Sequence, residues 1–107
     1  MSTFLDRHSL GDISAAVRQQ LRLEAVEGVR DSSGVRSLGH WVEDHAIYCL
    51  LDAPDADAVT QHHKARGVPS NDLHAIVGVS SSRPLTESDM TIVRAEIRRL
   101  WHATPKV

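Results

Sequence analysis

The order in which strand-like and helix-like runs alternate constrains this chain more than any other feature. Residues 3 to 8 are short and mixed apolar and polar, and Gly11-Asp12 then offers a turn. Residues 14 to 27, SAAVRQQLRLEAVE, are rich in helix formers. Val17, Leu21 and Ala25 share one face, Asp12 or Ser14 supplies a cap, and Gly28 is a stop signal. Two strand-like runs, 35 to 42 and 46 to 51, flank the polar Glu43-Asp44-His45 segment, the pattern of a hairpin. Ala53-Pro54-Asp55 closes the second run and starts another helix, with proline at the first turn and acids near the positive end of the dipole. That helix runs to about Arg66 and ends at Gly67-Val68-Pro69. After a turn at Ser70-Asn71-Asp72, residues 73 to 79 read as a fourth strand. The resulting β-α-β-β-α-β order is the ferredoxin-like split motif, an α+β sandwich with a four-stranded antiparallel sheet in the order 4-1-3-2.

Beyond the motif, residues 80 to 84 read as a linker, and Thr86 caps a third helix. In that helix Met90, Val93, Ile97 and Leu100 repeat at helical spacing with Trp101 alongside. The run is barely two heptads long, so the stripe is expected to pack on its own sheet or on a second subunit. The organisation is therefore a ferredoxin-like domain over 1–80, followed by a linker and extra C-terminal helix over 81–107. A chain of 107 residues suits one domain and one core. With 41% hydrophobic and 24% charged residues it has the composition of a globular protein. The net charge of −2, with cations scattered among acids, disfavours nucleic acid as a partner. No apolar run approaches the roughly 20 residues that span a bilayer. The single cysteine, Cys49, forms no internal disulfide, and MSTFLDRHSLGD lacks the pattern of a secretion signal, so a cytoplasmic location is expected.

Histidine is the unusual component: seven residues, against four Phe, Trp and Tyr together. No local motif such as HExxH or CxxC gathers them, so convergence has to come from topology. In the 4-1-3-2 order, the end of the first strand, the hairpin turn, the end of the second helix and the start of the fourth strand lie at one end of the sheet. His8, His40, His45, His62, His63 and His74 occupy those positions. The first and fourth strands are neighbours about 4.8 Å apart, so His8 and His74 are expected within reach of one ion. His40 lies two strands away, roughly 10 Å, and is expected to reach them only by bending across the sheet or by serving a second site or subunit. Asp6 shares a strand face with His8, where it can orient an imidazole or bind through oxygen. His62 and His63 are about 100° apart on their helix, so at most one faces the site. His45, His62 and His102 read as ordinary polar residues, Cys49 as a small buried hydrophobe, and Trp41 and Tyr48 as packing or dimer-surface residues. Imidazole nitrogen with oxygen and almost no sulfur suits nickel(II), copper(II) or zinc(II) rather than Fe–S clusters or calcium.

Several stretches carry a resemblance. FLDRH at 4–8, IYCLLDAPDADAV at 47–59, HKARG at 63–67 and PSNDLH at 69–74 resemble the small nickel-binding ferredoxin-like proteins grouped as domain-of-unknown-function family 4242. The resemblance implies a homodimer with nickel(II) held by histidines near the subunit interface, at His8, His40, His63 and His74. The chain departs from that pattern at Val68, where some relatives carry another histidine, in a first helix without histidine, and in the added C-terminal helix. The expected function is non-enzymatic binding of a divalent metal, nickel(II) first and zinc(II) or copper(II) next, for sequestration or sensing. No nucleophile and base share a known motif, and there is no glycine-rich phosphate loop. Two alternatives stand beside it. One is a small-molecule binder or enzyme in which Asp6, His8 and His74 act as acid and base. The other is a dimerisation or sensor module whose last helix engages a protein partner.

Overall fold

A computed structural model describes residues 1–69, 72–79 and 85–102; the expected turn at Ser70-Asn71 and the expected linker at 80–84 lie outside the described residues. Strand β1 (Ser2–Ser9) leads through a single 3-10 turn (Leu10–Asp12) into α1 (Ala15–Glu27). Then follow β2 (Arg36–Glu43), β3 (Ala46–Ala53), α2 (Ala56–Ala65), β4 (Leu73–Ile76) and α3 (Glu87–Trp101). The sheet order is β2-β3-β1-β4 with every pair antiparallel, so the expected ferredoxin-like topology is present.

Local chemistry sets the element boundaries. Ser14 Oγ accepts the Val17 N–H at 3.2 Å, and Gly28, at φ 63, ends α1 in a left-handed conformation that other residues adopt at a cost. Asp55 caps α2 by accepting the Ala58 N–H at 2.8 Å, so Pro54 stands just outside the helix rather than in its first turn. Thr86 and Asp89 form a reciprocal capping box that starts α3. The hairpin turns on two residues, Asp44 and His45, both at positive φ, a geometry whose twist matches that of paired strands. Counting outward from this turn pairs Trp41 with Tyr48 and His40 with Cys49. Strand β4 stops at Ile76, three residues earlier than expected, and Gly78 beyond it adopts φ 90.

Both faces of the sheet are covered. On one, α1 and α2 pack through Leu21 and Val59 against Phe4, Ile47 and Leu51. On the other, Val93 and Ile97 of α3 pack against Leu5, Tyr48, Leu50 and Ile76, with Met90, Leu100 and Trp101 at the edge. The apolar stripe of α3 therefore rests on the sheet of its own chain. All eight residues of β3 are buried, which explains its nearly unbroken apolar sequence. Burial of each large aliphatic side chain in these layers contributes about 1.5–3 kcal/mol. No helix among the described residues is long and apolar enough to cross a membrane.

Candidate metal centre

Alternation along β1 sends Asp6 and His8 to the face that α1 and α2 cover, while Leu5 points to the α3 face. The β1–β3 register sets Cys49 opposite Asp6, and the β2–β3 register sets His40 opposite Cys49, so three polar side chains form a row across three strands. From above, the last turn of α2 lowers His63 onto this row. Its Nε2 lies 3.0 Å from Asp6 Oδ2, and His8 Nε2 lies 3.2 Å from Asp6 Oδ1. The His8 and His63 rings meet edge to face at 5.0 Å between centroids. His40 Nδ1 is 3.7 Å from Cys49 Sγ, at the half-buried rim of the group.

Asp6, His8, Cys49 and His63 are all buried, and one ligand atom from each lies within 4.8 Å of the other three. Donors around one tetrahedral ion, with bonds of about 2.0–2.3 Å, are separated by roughly 3.3–3.8 Å, so a small contraction would bring these four to bonding distance. Both Asp6 oxygens and His8 Nε2 are enclosed, yet none makes a well-aligned hydrogen bond. Buried polar atoms in that condition are costly unless something else satisfies them, and a cation at their centre does so. Two nitrogens, one sulfur and one oxygen form a donor set suited to a borderline divalent ion.

Burial dominates the protonation of the group. It pushes His63 down to about 4 against the opposing pull of Asp6, so this ring is neutral near pH 7 and offers a lone pair. It also lowers His40, helped by the charges of Arg22 and His8. Burial and the adjacent Asp6 carboxyl push the Cys49 thiol well up, so ligation by this sulfur would release a proton.

The residues behind the centre fix the helix that carries His63. His62 turns away and bonds through Nδ1 to Asp31 at 2.6 Å. Arg66 reaches Asp31 at 3.2 Å and clasps Glu24 of α1 through Nε at 2.8 and 3.0 Å. Burial tends to raise Asp31, but hydrogen bonds from His62 and the Val35 and Ser33 N–H groups outweigh it and hold the carboxyl below its usual range.

Of the four histidines singled out from sequence, the structure brings His8 and His63 together, sets His40 beside them, and places His74 elsewhere. His74 is paired in register with Leu5 and so faces α3, where its Nε2 bonds Asp72 at 2.9 Å and its ring meets Trp101. Adjacency of β1 and β4 is as expected, but the parity is opposite, so His8 and His74 lie on opposite faces of this protomer's sheet. Asp72 in turn accepts the Trp101 indole N–H; burial raises it, but the Trp101 and His74 bonds prevail and lower it. His45 sits exposed in the hairpin turn, and His102 contacts the Tyr48 hydroxyl at 3.1 Å. Cys49 is the member of the candidate cluster that sequence reasoning missed; its burial was anticipated, its position beside Asp6 was not. The two-residue hairpin was the available signal, since counting back from it sets His40 against Cys49.

Comparisons with known proteins agree with this architecture. No curated protein matches the chain. The crystal structure of SCO4226 from Streptomyces coelicolor A3(2) is similar at a TM-score of 0.58 and 23% identity, over 74% of this chain and 100% of that one, a likeness that concerns the fold. The model of the nickel responsive protein SCO4226-like family matches residues 4–76, from the middle of β1 to the end of β4, and the chain therefore belongs to that family.

Proposed function

We propose that this protein binds a divalent transition metal, nickel(II) first, at Asp6, His8, Cys49 and His63, with His40 as a further donor at the rim. The observation that carries the reading is the convergence of four buried donor atoms, with both Asp6 oxygens left without an aligned hydrogen bond. Membership of a nickel responsive family supports the choice of ion. Zinc(II) and copper(II) suit the same donors, and copper(II) outranks nickel(II) intrinsically, so selectivity would have to come from geometry or supply. The role is sequestration or sensing in the cytoplasm, by a homodimer. Since α3 fills one face of the sheet, such a dimer would use other surfaces, among them the exposed Leu23, Val26 and Val42 around α1 and β2.

Calorimetric titration of chelator-stripped protein with nickel(II), zinc(II) and copper(II) tests this. Binding is expected at one site per protomer in the buried centre, with release of the Cys49 thiol proton and affinity that grows with pH, and with loss of affinity in Cys49→Ser and His63→Ala. Absence of binding by the unaltered chain, or affinity indifferent to both substitutions, overturns the assignment. Light scattering before and after titration tests the dimer.

A further inference from the structure

Two surface recesses reach the edges of the buried centre, and their charges differ. One, of about 170 Å³, opens at His8 and includes the carboxylates of Asp12 and Asp72 as well as Arg7. The other, a groove of about 270 Å³, opens at His40 beneath α1 and is lined by Arg18, Gln19, Arg22 and Val42, with no carboxylate among its lining residues. Arg18 and Arg22 are one helical turn apart and so present their guanidinium groups on one side of α1. Among the described residues neither makes an ion pair, although Arg30, Arg66, Arg94 and Arg99 all do. Arg18 Nε is also enclosed without a hydrogen-bond partner.

Two unpaired guanidiniums beside an imidazole make a poor mouth for a bare dication and a good seat for a carboxylate, whose oxygens match the guanidinium fork. The groove is smaller than the usual cavity for a drug-sized molecule and suits a small anion. Resting on the metal-binding reading above, we propose that this groove docks the metal as an anionic, carboxylate-bearing chelate held by Arg18 and Arg22, and that the ion passes to the buried centre through His40. The transfer is a ligand exchange: a bond from the ion to a chelate oxygen breaks as a bond to the His40 nitrogen forms. Cys49 Sγ, 3.7 Å from His40 Nδ1, is the next donor inward, and its thiol proton leaves to solvent as sulfur takes the ion. The freed carboxylate then leaves the guanidiniums and diffuses away. His40 thus acts as the passing ligand, which accounts for its place at the rim rather than inside the cluster.

The experiment compares loading rates from nickel(II) in a non-coordinating buffer and from nickel(II) in excess citrate, for the unaltered protein and for Arg18→Ala/Arg22→Ala. Uptake from citrate is expected to slow at least about tenfold in the double variant and to weaken with added salt, while uptake of the aquo ion does not slow. Arg22→Ala alone, at an exposed position, gives the same direction should the double variant fail to fold. Equal citrate rates in all forms, or an unaltered protein that loads from the aquo ion but not from citrate, overturn this inference alone. Failure to load from either source overturns the proposed function and this inference with it.

Discussion

His63 Nε2 and Asp6 Oδ2 lie 3.0 Å apart, joining the last turn of α2 to the middle of β1 across fifty-seven positions of sequence, both side chains fully enclosed. That contact is the axis of the candidate centre. It predicts that Asp6→Asn, which keeps shape but loses the negative charge, weakens nickel(II) binding by at least about tenfold while the fold persists. His74→Ala serves as the control. Facing α3, it is expected to leave affinity within about twofold by calorimetry.

Protonation of His63 makes the metal-free protein sensitive to acid. Its folded value, about 4, lies below the ordinary 6.5, so between these values the unfolded chain binds more protons than the native one. Stability is therefore fully present above about pH 6.5 and is lost as pH falls toward 4, by roughly 3 kcal/mol in all. Urea unfolding of stripped protein at successive pH values checks the slope. In His63→Gln this part of the slope should vanish.

The Arg66 side chain ties α2 to Glu24 and Asp31, while its backbone N–H bonds the His63 carbonyl at 3.0 Å. Arg66→Ala is expected to lower metal affinity about tenfold or more by loosening the turn that carries His63, as removal of supporting partners does elsewhere. Folding should survive, as judged by circular dichroism. Unchanged affinity would mean that packing alone positions His63.

The third helix should behave as part of the core. Ile97→Ala removes buried contacts against the sheet and is expected to cost about 2–5 kcal/mol. Thr86→Ala, which breaks the capping box, should cost about 1 kcal/mol. A chain truncated before Leu85 exposes Leu5, Tyr48, Leu50 and Ile76 together, and is expected to self-associate in light scattering.

The element order, the Thr86 cap, the Gly28 stop, the hairpin and the α3 stripe were all legible in the residues, and Ser14 was one of two cap candidates, because each depends on neighbours within a few positions. Topology then carried His8, His40 and His63 to one end of the sheet, since the split motif allows few arrangements. What local pattern could not decide was which face each strand residue meets. The β1–β4 register, which sends Leu73 to the helix side and His74 to the α3 side, is settled by packing between segments far apart in sequence, and a slip of one residue would exchange them.

Cys49 looks like any other apolar residue of a buried strand until the pairing with Asp6 is known, and His62 and His63 are told apart only by the rotation of α2 over the sheet. By itself the sequence determined the fold, because periodicity, caps and turns act at short range. Tertiary structure alone decided which side chains converge in the candidate cluster, because register and helix rotation are fixed by the requirement that two separate apolar faces be buried at once.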